Sequence, residues 1–275
     1  MATFFLQRDE APALSRGGGY DRRPPTIPDR PMPAEAPNPP ADRPPGLVVI
    51  EGIMGSGKST TMRRVARAYE AAQRPVLAIH ERADPHPVRA TDELAHWFEP
   101  WRDCTPNELA ARAAARWQRF VEGARSDAAV AVFDGQLYHG DVTHLFLMEA
   151  SFDEIAAHCD TVARLIAPLR PLIVYLWQQD VERAIHVVCA ERGEAWVKYQ
   201  VDWKLKGPYA ARRGLAGLDG LVALYRDYRR LTDALFDRLE LDKIAIENSA
   251  RGWPRYEGQV LARLGLARPR HGDAA

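Results

Sequence analysis

The 275 residues carry 37 Lys plus Arg against 37 Asp plus Glu, with 27% charged and 46% hydrophobic side chains, the mix of an ordinary folded chain. Zero formal charge argues against a strongly basic nucleic-acid binder, though not against a local basic cleft, and no apolar run is of membrane-spanning length. The three cysteines, Cys104, Cys159 and Cys189, form no CxxC pair. Neither a disulfide framework nor a zinc knuckle is therefore expected, and with no secretory signal at the start a cytoplasmic location is the default.

Residues 1–45 hold 11 of the 21 prolines. Such a segment has little apolar surface to offset the entropy of ordering, and its prolines favour extended backbone. It reads as a disordered leader or a partner-docking tail, ahead of one domain over 46–275.

From Gly46 the texture changes. Leu47-Val48-Val49-Ile50 is a continuous apolar run, the mark of a strand covered on both faces. Met62, Val65, Ala66 and Tyr69 then recur at helical spacing, and Pro75 to His80 reads as a second strand. Thr105-Pro106-Asn107-Glu108 is a capping box with proline at the first helical position; Leu109, Ala113, Trp117 and Phe120 line one side of the helix it opens. Ala129 to Phe133 is a third strand. Ser151-Phe152-Asp153-Glu154 is a second capping box, whose helix stops near Pro168. Leu172 to Leu176 is a fourth strand, with Asp180 capping a helix that ends near Gly193. Residues 192–214 are polar, basic and glycine-containing, and read as a flexible lid. A long amphipathic helix over about 219–239, a fifth strand over Lys243 to Glu247 and a short helix around Val260 complete the chain. Strands alternating with helices predict a three-layer α/β/α fold with a five-stranded parallel sheet. Ligands of such folds bind beyond the carboxyl ends of the strands.

Gly52-Ile53-Met54-Gly55-Ser56-Gly57-Lys58-Ser59 satisfies G-x-x-x-x-G-K-[ST] between a buried strand and an amphipathic helix, the context this phosphate-binding loop requires. The glycines let successive N–H groups turn inward onto phosphate oxygens, and the helix adds its positive dipole end. Gly52, Gly55, Ser56, Gly57, Lys58, Ser59 and Thr60 are thus the candidate ATP-binding residues. Lys58 is expected at the β- and γ-phosphates, and the Ser59 hydroxyl at Mg²⁺.

The remaining candidates follow other strands. Asp134, directly after the third strand, can hold Mg²⁺ or orient an acceptor. Glu81 can bind an acceptor hydroxyl or take its proton, and Arg82 can clamp an anionic substrate. Trp97, Trp101, Gln136 and Tyr138 are candidates for an acceptor pocket. Phosphoryl transfer needs cations and a segment that excludes water, and from the basic lid Arg192 and Arg212 are the candidate catalytic cations. His139 and His144 lack partners for a metal cluster. Asn248, after the fifth strand, is a candidate contact to the nucleotide base.

The loop from Glu51 to Thr60 resembles that of P-loop nucleoside and nucleotide kinases, notably deoxynucleoside and thymidylate kinases. The resemblance runs over roughly residues 46–264, by order of elements more than by identity. It implies the five-stranded P-loop NTPase sheet, ATP with Mg²⁺, an arginine-bearing lid, Glu81 as a base touching a sugar hydroxyl, and Trp97 and Trp101 in the substrate pocket. Where those families carry Glu-Arg-Ser or Asp-Arg after the third strand, this chain has Asp134-Gly135-Gln136. The missing arginine points to a divergent branch with a different small-molecule acceptor.

The expected activity is transfer of the γ-phosphoryl group of ATP–Mg to a hydroxyl or phosphate of a small molecule, a nucleoside or nucleotide being one class. The alternative is an ATPase or GTPase switch acting through a protein partner. Nucleic-acid and membrane partners are not expected, and a homodimer stays open.

Overall fold

The computed structural model describes residues 45–125 and 128–266. The leader expected over 1–45 lies outside the described residues apart from Pro45. Among the described residues, no helix is long and apolar enough to cross a membrane.

Five strands form one sheet: β1 (Leu47–Gly52), β2 (Val76–Ile79), β3 (Val130–Asp134), β4 (Leu172–Trp177) and β5 (Asp242–Glu247). All pairings are parallel, in the order β2-β3-β1-β4-β5. Helices cover both faces, giving the expected three-layer α/β/α architecture. They are α1 (Lys58–Ala71), α2 (Pro106–Ala124), α3 (Thr143–Leu147), α4 (Phe152–Ile166), α5 (Val181–Arg192), α6 (Glu194–Lys204), α7 (Pro208–Arg213), α8 (Gly217–Arg238) and α9 (Trp253–Arg263).

The apolar runs explain the layering. β1 is buried along its whole length, and its alternate side chains serve two half-cores. Val48 and Ile50 join Met62, Val65 and Tyr69 of α1 and Tyr256 and Val260 of α9. The opposite face is aromatic: Trp117 of α2 lies 5.5 Å from Phe133, and Phe236 of α8 stacks on Tyr175 at 5.0 Å. Both predicted capping boxes form, with Thr105 and Glu108, and Ser151 and Glu154, bonded reciprocally. Each cap contributes about 1 kcal/mol. Asp180 caps α5 through the Arg183 amide at 2.9 Å.

Residues 192–214, read from sequence as a flexible lid, are folded as α6 and α7. Charge dominates the composition there and masks a helical repeat. Tyr199 and Trp203, four residues apart, share a face; Phe98 packs against both, with ring centroids at 6.2 and 5.2 Å. Gly193 ends α5 and Gly214 ends α7, both in positive-φ conformations, which is the stop signal glycine supplies.

Register sets the position of the site. Ile50 of β1 pairs with Asp134 of β3, and Gly52 pairs with Leu176 of β4. The loop after β1 therefore opens between the ends of β3 and β4.

Candidate active site

The loop between β1 and α1 is shaped by contacts that only glycine allows. Gly52 has φ 145°, and a Cβ there would stand 2.3 Å from the Leu176 carbonyl oxygen. Gly57 has φ 91°, and a Cβ would meet the Trp253 ring at 2.7 Å. Gly57 is the N-cap of α1 and the helix has no side-chain cap. The amides of Lys58, Ser59 and Thr60 thus open the helix with no carbonyl partner inside it, in the arrangement that receives an anion. Lys58 is 5% exposed, and its Nζ folds back onto the Ile53 carbonyl at 3.2 Å. Ser56 is buried with its hydroxyl unbonded. Its carbonyl accepts a 2.6 Å hydrogen bond from Asn248 Nδ2, and Gln178 Nε2 donates to Asn248 Oδ1. Asn248 is thus a brace from the end of β5 onto the loop. Beside the loop, at the ends of β4 and β5, lies a cleft of about 650 Å³ whose lining includes Gly55, Asp180, Arg183, Asn248 and Trp253.

On the other side, the ends of β2 and β3 bring charged groups together. Glu81 Oε2 lies 3.1 Å from His139 Nε2. Burial pushes the Glu81 carboxyl up, but the bond and charge of His139, with Lys58 and His80 beyond, outweigh it and hold the group well below the usual range. Burial and Lys58 in turn pull the His139 imidazole below its usual range, against the opposing pull of the Glu81 carboxylate. Asp134 is 1% exposed. His80 Nε2 approaches its Oδ2 at 3.3 Å, off hydrogen-bonding angle, so both carboxylate oxygens are buried without a hydrogen bond. His80 Nδ1 accepts the Arg82 amide at 3.1 Å. Arg89 fixes the backbone of this segment, donating to the Glu81 and Ala83 carbonyls at 2.9 and 3.1 Å.

Glu51, at the end of β1, is fully buried and receives the amides of Tyr138 and His139 at 3.0 and 3.1 Å. Burial raises its carboxyl to about 7, against the pull of those amides and of Lys58. It ties the turn after β3 to the loop strand, and so places His139 opposite Glu81. Lys204, the last residue of α6, is 3% exposed. Burial lowers its ammonium to about 7, with Glu81 favouring the charge and Lys58 opposing it.

The structure thus brings Lys58, Glu81 and Asp134 to one end of the sheet, with Arg82 exposed at the rim. Trp97 is 41% exposed, with Phe98 against its ring at 3.5 Å and Arg89 over it at 5.4 Å; Trp101 is half-buried nearby in the chain. Two pocket candidates are core residues instead. Tyr138 is 1% exposed, set edge-on to Tyr175 at 6.1 Å, because the turn after β3 continues straight into a buried π-helical stretch over Leu137–Val142. Gln136 is buried and donates to Asp141 at 3.2 Å, whose other oxygen accepts from Trp117 at 3.0 Å. Arg192 and Arg212, the expected lid cations, sit on the outside. Arg192 closes α5 exposed to solvent, and Arg212 pairs with Glu149 at 3.0 Å. Lys204 is the cation that the segment sends inward.

Lys204, His80, His139 and Glu51 were not chosen from sequence as catalytic or binding residues. Lys204 carried one signal, a lysine one residue from Trp203 on the buried side of a disguised helix. Glu51 carried another, an acid inside an otherwise apolar strand.

The donor set near Lys58 suits a divalent cation brought with phosphates. Among the described residues, no three acidic, imidazole or thiol groups form a ready metal cage. Mg²⁺ does not need one, since it binds through one or two protein oxygens plus water and phosphate, and the two unbonded oxygens of Asp134 meet that requirement.

No family model matches this sequence, and no curated protein matches it. Among solved structures, the chain is similar in fold to the YorR protein from Bacillus subtilis in complex with phosphorylated GDP: 12% identity, 80% of this chain and 96% of that one, TM-score 0.43. It is also similar to deoxyadenosine kinase from M. mycoides with dCMP and dCDP bound, at 12% identity, 80% and 98% coverage and TM-score 0.41. A shikimate kinase from Acinetobacter baumannii in complex with shikimate gives 16% identity, 79% and 90% coverage and TM-score 0.34. At these identities and scores the likeness is one of outline, and the functional reading stands on the chain's own side chains.

Proposed function

We propose that the chain is a small-molecule kinase, moving the γ-phosphoryl group of ATP–Mg onto a hydroxyl or phosphate of an acceptor. The observation that carries this reading is a buried Asp134 carboxylate without a hydrogen bond, next to a glycine loop whose lysine it adjoins. The Lys58 Cε lies 3.5 Å from where a Cβ on Gly135 would stand. A buried carboxylate that accepts no hydrogen bond and has only the His80 imidazole at 3.3 Å is costly to keep, and a cation with its phosphates offsets that cost.

In this reading Gly52 to Thr60 hold the phosphates through main-chain amides, and Lys58 places a point charge on the β- and γ-oxygens. Ser59 and Asp134 would hold Mg²⁺, which neutralises charge on the same oxygens. The cleft by Asn248 and Trp253 takes the base. Glu81 receives the acceptor hydroxyl. Its low proton affinity makes it an orienting group and a late proton acceptor, which suffices for a loose transfer in which little proton movement precedes bond breaking. The acceptor lies between Glu81, Arg82 and the Trp97 and Trp101 segment, under the wall made by α6 and α7.

The test is ADP release measured across nucleosides, nucleotides, sugars and hydroxy acids, with an acceptor-free control. Release that needs an acceptor and falls by about 10²-fold in Glu81→Gln is the expected result. Release at full rate without any acceptor assigns the loop to a switch or ATPase instead.

A further inference from the structure

The acceptor wall contains a cation with no counter-ion. Lys204 is 3% exposed, yet among the described residues no carboxylate or carbonyl lies within ion-pair or hydrogen-bond reach of its Nζ. Its neighbours are rings: Trp203 at 4.0 Å and Tyr225 at 5.8 Å, with His144 next to Trp203 at 6.4 Å. The carboxylate that could answer it, Glu81, is engaged with His139, and the other charged neighbour, Lys58, repels it. Burial and Lys204 together hold His144 down to about 4, so His144 adds no charge near neutral pH.

The ammonium is also held in place. Trp203 Nε1 donates to the Phe98 carbonyl at 2.8 Å, and Lys206 reaches Glu99 at 3.3 Å. These bonds fasten α6 to the segment after β2 on both sides of Lys204. A buried ammonium offset by ring faces and by a carboxylate it does not bond is a costly thing to keep. It becomes favourable when an oxyanion completes it.

The donor already has its own grip in Lys58 and the first-turn amides of α1. Lys204 comes from α6 with Glu81 and Lys58 as its charged neighbours, and α6 and the segment it is fastened to expose Tyr199 and Trp97, 43% and 41% accessible. We infer that Lys204 is the seat of a second anion, and that the phosphoryl acceptor carries an oxyanion of its own, a phosphate monoester or a carboxylate, apart from the group that is phosphorylated. This rests on the kinase reading above and narrows its acceptor class.

The full-length protein is first titrated by calorimetry with the magnesium complex of a non-hydrolysable ATP analogue. A flat result removes the kinase reading itself. The loaded protein is then titrated with inorganic phosphate, a nucleoside 5′-monophosphate, a hydroxycarboxylate and an uncharged nucleoside. At least one anion is expected to bind, and the phosphate and carboxylate arms tell which source is used. Lys204→Met should weaken that anion by about tenfold or more, and Lys204→Arg by less than about threefold. Affinity for the ATP analogue should stay level in both. Independently of any variant, the ¹³Cε resonance of Lys204 in loaded wild type should move on adding the anion. The inference is overturned if no anion binds the loaded protein, if the resonance does not move, or if Lys204→Met binds the anion as wild type does. Analogue and anion affinity falling together would also overturn it, giving Lys204 to the γ-phosphate.

Discussion

The two sides of the site are built in opposite ways. On the loop side, glycines stand where no Cβ fits, the Ser56 carbonyl is bonded by Asn248, and a tryptophan ring fills the space against Gly57. On the other side, Asp134 and Lys204 are buried with their bonding incomplete, next to a half-buried Glu81 held by His139. Folding has fixed the backbone shape of the first region, leaving main-chain amides to be met, and has left buried charges to be met in the second. A site with this division can hold one molecule by shape and another by charge.

The largest expected effect breaks the loop side. Lys58→Ala should lower turnover by about 10²–10³-fold. Circular dichroism should be unchanged, because the side chain's own bond in the fold is one contact to a loop carbonyl. The next separates stability from function on the other side. Asp134→Asn removes a buried charge with no hydrogen bond, so the metal-free protein should gain about 1–3 kcal/mol in denaturant unfolding while losing magnesium-dependent ATP binding. A loss of stability would mean that Asp134 is held by the fold and not by a ligand. Asn248→Ala should weaken ATP about tenfold by releasing the loop, with little effect on affinity for the acceptor.

The smallest effect is read in pH. Lys204 sits at about 7 in the fold against 10.5 in a free lysine. Between those values the unfolded chain binds more protons, so stability should rise with pH from 7 to 10.5, by at most ~1.4 kcal/mol per unit. Glu51, at about 7 against 4.5, acts with the opposite sign: the folded chain binds more protons there, and stability should fall as pH rises from 4.5 to 7. Urea unfolding of wild type and Lys204→Met across pH 5 to 10 isolates the first term. Their difference should shrink on going up from about 7, and a constant difference would contradict the burial of that ammonium.

The loop side was legible because its chemistry is local. Eight consecutive residues, a buried strand before them and an amphipathic helix after them state the phosphate site, and both capping boxes announced their helices in four residues each. The opposite side is assembled from far-separated residues, with Glu51, His80, Glu81, Asp134, His139 and Lys204 coming from five segments. Only its place next to Trp203 separates Lys204 from Lys206 in the sequence, although one is buried and the other pairs with Glu99 at the surface. Tyr138 failed in the other direction: following a strand end made it look accessible, but the turn sends its ring back under the sheet against Tyr175. Counting basic residues over 192–214 obscured the helical spacing of Tyr199 and Trp203, which decides how that segment folds.

Asn248 reaches back 192 positions to Ser56, and Trp253 sits against Gly57. The loop is made early in synthesis and its supports arrive late. Under the kinase reading, a nascent chain would gain its grip on nucleotide only once β5 and α9 dock, so that nucleotide would pass over a chain in which they are not yet in place.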